Sequence, residues 1–224
     1  SDSRPIGVFD SGVGGLTVAA ALRRRLPRER LLYLGDTARL PYGTKSAATV
    51  RRYTQVNLDF LAHRGVKAVV VACNTASALA LEGIDCRDTA LPVWGVIEPG
   101  ADRAAAATRN GRVGVMATAA TLRSERFGAL LERERGGRPV HLQACVGLAD
   151  AIERGELDDP ALAAVIERHC APLRAAGVDS VALGCTHYPL LTGVISYVCG
   201  DDVTLVSSAE ETAKDVYRTL AAHQ

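Results

Sequence analysis

Two cysteines sit in nearly repeated surroundings, Gly65-Val66-Lys67-Ala68-Val69-Val70-Val71-Ala72-Cys73-Asn74-Thr75 and Gly177-Val178-Asp179-Ser180-Val181-Ala182-Leu183-Gly184-Cys185-Thr186-His187. Each run is a short apolar stretch after a Gly-Val turn, ending in a thiol followed by hydrogen-bonding residues instead of more core. That pattern predicts a buried strand that delivers a thiol where the strand emerges. A thiol so placed can carry a proton or act as a nucleophile. A metal site on Cys185 and His187 lacks a third and fourth ligand at suitable spacing. A cysteine hydrolase using Cys73 with His187 would leave Cys185 idle.

The other four cysteines, Cys86, Cys145, Cys170 and Cys199, are widely spaced and form no C-x-x-C pair. A zinc ribbon or disulfide framework is therefore disfavoured, and these read as small buried hydrophobes. Cys145 also closes a strand-like run, Val140-His141-Leu142-Gln143-Ala144, so it could reach a cleft edge, though a packing role is favoured. The segment Asp10-Ser11-Gly12-Val13-Gly14-Gly15-Leu16-Thr17, with Asp36 further on, mimics a dinucleotide fingerprint. The mimicry is imperfect, since Thr17 stands at the third glycine and Asp10 would repel a pyrophosphate. A tight turn exposing N–H groups to a carboxylate is the better reading.

These residues need elements to hold them. Short apolar runs predict strands over 6–9, 31–34, 68–71 and 93–96, with helices over 16–26, 46–63 and 75–81. The pattern restarts at Val113, with strands over 113–116, 140–143, 181–183 and 203–206 and helices near 123–134, 162–176 and 209–222. Pro5-Ile6-Gly7-Val8-Phe9-Asp10-Ser11 is echoed by Arg112-Val113-Gly114-Val115-Met116-Ala117-Thr118, in the same order and at a similar offset as the cysteine repeats. The fold class is thus α/β: two similar lobes with mostly parallel sheets flanked by helices, facing each other across a cleft, each contributing one thiol. In such sheets ligands bind beyond the C-terminal strand ends, where Asp10, Cys73, Thr118 and Cys185 fall.

Composition narrows the function classes. The chain has 224 residues, 48% of them hydrophobic, enough for packed cores. A net charge of +1 gives no general attraction to nucleic acid or anionic membrane, and 4% aromatic residues argue against a base-stacking platform. Arg23, Arg24 and Arg25 read as a solvated helix end. No apolar run approaches a membrane span and no signal-peptide pattern opens the sequence, so the expectation is a cytoplasmic protein with no membrane partner.

Several blocks resemble glutamate racemase, a member of the aspartate/glutamate racemase superfamily. They are Phe9-Asp10-Ser11-Gly12-Val13-Gly14-Gly15-Leu16, Gly35-Asp36-Thr37-Ala38-Arg39-Leu40-Pro41-Tyr42-Gly43, Ala72-Cys73-Asn74-Thr75-Ala76 and Gly184-Cys185-Thr186-His187-Tyr188-Pro189-Leu190-Leu191. Gly95-Val96-Ile97-Glu98-Pro99-Gly100 and Glu210-Glu211-Thr212-Ala213 match as well, so the resemblance spans essentially the whole chain. It implies interconversion of L- and D-glutamate without a cofactor, supplying D-glutamate for peptidoglycan. Inversion needs a base on one face of the α-carbon and an acid on the other, which two opposed thiols supply. An ordinary thiol of pKa about 8.5 is only a few per cent ionised at pH 7, so a helix N-terminus at each cysteine is expected to favour the thiolate.

By the same resemblance, Cys73 and Cys185 act on opposite enantiomers, Asp10 assists near Cys73, His187 assists near Cys185, and Glu153 lies near the second cysteine. An exposed helix position is the competing reading of Glu153. Asp10, Ser11, Tyr42, Gly43, Asn74, Thr75, Thr186 and His187 match substrate-binding positions. The resemblance further implies a homodimer, and a first lobe of residues 1–97 rejoined by about 207–224, with 98–206 as the second lobe. The cleft between them is expected to open and close. Departures from the family pattern occur at Ala117, Ala119, Val146, Ala149 and Asp150. Aspartate and hydantoin racemases of the superfamily are the runners-up.

Overall fold

In a computed structural model, residues 2–81, 91–156 and 160–222 are described. Cys86 lies outside them. The first sheet contains β1 (Ile6–Asp10), β2 (Leu31–Gly35), β3 (Ala68–Val71) and β4 (Val93–Trp94), and every pairing is parallel in the order β2-β1-β3-β4. The second contains β5 (Val113–Ala117), β6 (Val140–Ala144), β7 (Ser180–Gly184) and β8 (Thr204–Ser207), in the order β6-β5-β7-β8. One topology is therefore used twice.

The repetition extends to individual contacts. Gly7 of β1 pairs with Val69 of β3, and Gly114 of β5 pairs with Val181 of β7. A Cβ at Gly7 would come within 3.2 Å of Leu61 Cδ1, and one at Gly114 within 3.0 Å of Leu173 Cδ2. These leucines lie on the helices that enter β3 and β7, α2 (Ala47–His63) and α8 (Pro160–Ala175). Each helix ends in a glycine with positive φ, +72° at Gly65 and +66° at Gly177, a conformation glycine adopts without strain. The Gly-Val turns legible in the sequence are these helix ends.

The inner strands β1, β3, β5 and β7 are buried throughout, as continuous apolar runs require when helices cover both faces. One face of the first sheet packs Ile6, Val8 and Val70 against α1 (Leu16–Arg25) and α10 (Ser208–Ala222), with Val18, Leu22, Ala213 and Val216 in the core. The other packs Phe9, Val69 and Val71 against Val50, Leu58 and Leu61 of α2. In the second sheet, Val113 and Val115 meet α4 (Ile97–Ala107) and α6 (Arg126–Glu134), while Val181 and Leu183 meet α8 and α9 (Thr192–Cys199). Arg23, Arg24 and Arg25 form the exposed last turn of α1, as predicted.

Some elements depart from the sequence expectation. The strand predicted over 93–96 stops at Trp94, because Gly95 passes tightly against Leu81 and Val96 already precedes α4. Helix α4 was not predicted, since Glu98-Pro99-Gly100 reads as a turn. Proline is tolerated in a first helical turn, and Gly100 lets the helix approach Ser208, where a Cβ would lie 3.0 Å from the Ser208 Cβ. The helix predicted near 123–134 is two pieces, α5 (Ala119–Arg123) and α6, separated by Glu125 at a φ of 59°. Short helices α3 (Asn74–Ala80) and α7 (Leu148–Glu153) follow β3 and β6. Among the described residues no helix is long and apolar enough to cross a membrane.

Candidate active site

The C-terminal ends of the two sheets meet at a cleft of about 160 Å³ lined by both Cys73 and Cys185. That is small against the roughly 300–1,000 Å³ typical of drug-sized ligand sites, and suits a compact ligand. Cys73 follows β3 and caps α3, its sulfur accepting the Ala76 N–H at 3.5 Å and donating to Ser11 Oγ at 3.4 Å. Cys185 holds the equivalent place after β7, but no helix starts on it. The chain continues through a 3₁₀ turn, Tyr188–Leu191, before α9, so the helix N-terminus expected there is absent.

Cys185 instead has an imidazole. Its sulfur lies 3.5 Å from His187 Nδ1, and His187 Nε2 makes a short hydrogen bond to Glu153 Oε1 at the end of α7. Glu153 also accepts the Val13 N–H at 3.0 Å, and its side chain is only 17% exposed, which removes the surface-helix reading. The glycine-rich turn is shaped to this group. A Cβ on Gly12 would sit 2.1 Å from Glu153 Oε1, and one on Gly14 would sit 2.6 Å from Thr186 Oγ1 and 2.7 Å from His187 Nδ1. The turn does present N–H groups to carboxylates, as the sequence suggested, but those carboxylates belong to Asp10 and Glu153.

Asp10 is fully buried, accepting the Gly12 N–H at 3.0 Å and the Thr186 hydroxyl at 3.2 Å. The first of these bonds thus stays in its own turn and the second reaches the Cys185 loop, while its charge also acts on Cys73. The dinucleotide reading has no counterpart here. Asp36, which would meet a ribose, accepts from Tyr42 Oη, from Arg39 Nε at 2.9 Å and from Asn57 Nδ2 at 3.1 Å. The Tyr42 hydroxyl is therefore committed to this buried network, and the residue meets the cleft with the rest of its surface. Gly43 closes on the second sheet, where a Cβ would lie 2.9 Å from the Thr118 Cβ.

The remaining wall mixes polar residues with the apolar Leu40, Pro41, Ala119, Val146 and Ala149. Ser11, Asn74, Thr75, Thr186 and His187 all line the cleft. Asn74 is buried, and among the described residues neither its Nδ2 nor its Oδ1 finds a partner. Thr75 Oγ1 joins Thr118 Oγ1 at 3.0 Å and Thr121 Oγ1 at 3.1 Å, and those two lie 2.9 Å apart. This hydroxyl triangle bridges α3 to α5 and was not singled out from the sequence. Its signal was the Ala-Thr-Ala-Ala-Thr spacing, in which Thr118 accepts the Thr121 N–H as a helix cap. Cys145 is buried in the core of the second sheet, in keeping with the favoured packing role, and also lines the cleft.

Burial dominates the electrostatics. It pushes the Cys73 thiol up to about 11, aided by the Asp10 charge and opposed by hydrogen bonds from Ser11 and Ala76. Burial raises Cys185 further, against a backbone hydrogen bond at His187, with Cys73 and Asp10 adding to the rise. Asp10 is itself raised by burial, while His187 and its own hydrogen bonds hold it down. The expectation that local structure favours the thiolate is corrected: desolvation outweighs every hydrogen bond, and both groups rest as thiols.

The chain is similar in sequence and fold to known proteins. Residues 16–216 match the model of the Asp/Glu/Hydantoin racemase family. The glutamate racemase of Beutenbergia cavernae is 54% identical, over 98% of this chain and 75% of its own length. A glutamate racemase isoform from Bacillus anthracis superposes with a TM-score of 0.92 at 40% identity, covering 100% of this chain and 84% of that one. The glutamate racemase of Francisella tularensis, solved in complex with D-glutamate, superposes with a TM-score of 0.90 at 34% identity, covering 100% and 83%.

Proposed function

The chain belongs to the Asp/Glu/Hydantoin racemase family and is an amino-acid racemase, and we propose that it interconverts L- and D-glutamate by proton transfer between Cys73 and Cys185. The substrate follows from the 54% identity to a glutamate racemase and from the likeness to one solved with D-glutamate. The mechanism rests on one observation: two thiols stand at equivalent strand ends of a doubled fold and line one cleft.

A thiol with a pKa of about 11 costs about 5 kcal/mol to ionise at pH 7. The substrate's α-ammonium, held between the sulfurs, offsets part of this as a nearby cation. The thiolate on one face takes the α-proton, and the thiol opposite delivers its own to the other face. At Cys185 the proton passes to His187 Nδ1, while Glu153 accepts the Nε2–H and steadies the imidazolium. At Cys73 the thiol donates to Ser11 Oγ, and the sulfur accepts the Ala76 N–H. Asn74 supplies its unpartnered amide to the carboxylate groups, with Thr75 and Thr186 lining the cleft beside it, stabilising charge that spreads from the α-carbon in the transition state. No electron-sink cofactor is required, and the product serves peptidoglycan synthesis.

We further propose lobes of about 1–97 with 207–224, and 98–206. The packing of α10 with Ile6 and Val8 supports the rejoining. The function is tested by incubating the purified chain with L-glutamate or L-aspartate, without added cofactor, and resolving the enantiomers chromatographically. D-Glutamate formed far faster than D-aspartate is the expected result. Preference for aspartate, or no racemisation by folded, reduced protein, would overturn the reading.

A further inference from the structure

The proposed chemistry uses neither Cys170 nor Cys199. Cys170 lies on α8 and Cys199 is the last residue of α9, both buried in the core cluster that also contains Cys185. Their sulfurs are 3.2 Å apart and share a hydrogen bond. A disulfide needs a separation of about 2.05 Å, so closing the bond requires an approach of only about an ångström. The chain can give that much: α9 ends at Gly200, with a φ of +99° and open space where a Cβ would stand.

A cation sits beside the pair. Arg174, one turn beyond Cys170 on α8, donates from Nη1 to the Val198 carbonyl at 2.6 Å, next to Cys199, and its carboxylate partner is Glu167. The shared hydrogen bond, and then the Arg174 charge, hold Cys199 below the ordinary thiol range, while that same bond and burial hold Cys170 above it. One sulfur is thus disposed to attack while its neighbour keeps a proton, the division of labour a dithiol oxidation needs. The cleft thiols Cys73, Cys145 and Cys185 are all displaced upward by burial, away from this reactivity.

We propose that Cys170 and Cys199 are a redox-modification site, oxidised by hydroperoxides to a disulfide that joins α8 to α9. The Cys199 thiolate attacks a peroxide oxygen, the O–O bond breaks, and hydroxide leaves with the thiol's proton as water. The Cys170 sulfur then attacks the Cys199 sulfenic acid, forming the S–S bond, breaking the S–O bond and releasing a second water. Two thiols are oxidised and one hydrogen peroxide is reduced. The proposal stands independently of the racemase reading.

The test titrates the reduced full chain, in a Cys86→Ser background, with hydrogen peroxide. Alkylation of remaining thiols, intact mass and peptide mapping follow. The expected result is loss of two hydrogens and of two alkylatable thiols, with Cys170 and Cys199 in one linked peptide that dithiothreitol releases. Arg174→Gln should slow the linkage several-fold, and Cys199→Ser should abolish it. Earlier oxidation of Cys73 or Cys185, over-oxidation of Cys199 without a link, or unreacted Cys170 and Cys199 would each overturn the proposal. The mapping of the parent chain decides this even if a variant fails to fold.

Discussion

Replacing Gly12 by alanine places a methyl group where the Glu153 carboxylate now sits. The new Cβ would lie 2.1 Å from Oε1 and 3.1 Å from the carboxylate carbon, against about 3.4 Å for an ordinary contact. Gly12 is not among the residues with positive φ, so the backbone accepts alanine and the conflict falls on the side chain. The carboxylate must withdraw by about 1.3 Å, which breaks its bonds to Val13 N–H and His187 Nε2. Under the proposed mechanism, displacing the carboxylate that orients His187 by about 1 Å should cost about 100-fold in rate, or about 2.7 kcal/mol of barrier. Losing the two bonds should lower stability by about 1–3 kcal/mol, leaving a folded protein to assay. Racemisation is followed by circular dichroism in both directions, with urea unfolding in parallel. In a Glu153→Ala background the obstruction is gone, so Gly12→Ala should cost less than about threefold. A near-normal kcat for Gly12→Ala, or a 100-fold loss that persists in the Glu153→Ala background, would refute the positioning role of this contact.

Other consequences concern pH and the cleft wall. Because Cys73 is raised to about 11 from about 8.5 in the unfolded chain, its contribution to stability is complete below about pH 8.5 and is lost as pH rises toward 11. Cys145 and Cys185 shift the same way, so the unfolding free energy from urea titrations should fall as pH rises from about 8.5 toward 11, and Cys73→Ala should flatten that fall by up to about 1.4 kcal/mol per pH unit. Asn74→Ala removes a buried amide without protein partners, so unfolding should show equal stability or a gain of about 1 kcal/mol while KM rises about tenfold or more. Tyr42→Phe removes a donor to buried Asp36 and should cost about 1–3 kcal/mol of stability with KM little changed. A large KM effect would return the hydroxyl to the substrate.

The sequence carried the doubled strand pattern because inner strands of a parallel sheet are continuous apolar runs, and Val69-Val70-Val71 and Val181-Ala182-Leu183 are such runs. The thiols were legible for the same reason: each run ends on its cysteine. Helix α4 was hidden by Pro99 and Gly100, whose usual meaning is a turn and whose use here is close packing on Ser208. What sequence could not express was contact between segments distant in the chain. Glu153 and Gly12 are 141 positions apart, yet each dictates what the other can be. The Thr75, Thr118 and Thr121 triangle likewise exists only once α3 meets α5. Nor could local spacing reveal that burial would outweigh the cap at Cys73, because desolvation depends on everything packed around the sulfur.

The central claim, proton transfer between two thiols on opposite faces of one carbon, is tested most directly by running L-glutamate racemisation in D2O. The product's α-position and chirality are read together by NMR and chiral chromatography, for the parent chain and for Cys73→Ser and Cys185→Ser. The account predicts that D-glutamate carries deuterium at the α-carbon from the first turnovers while remaining L-glutamate keeps its proton, and that each serine variant loses turnover by at least about 100-fold. Early product retaining the original α-proton, or a serine variant of either cysteine with near-normal racemisation, would contradict it.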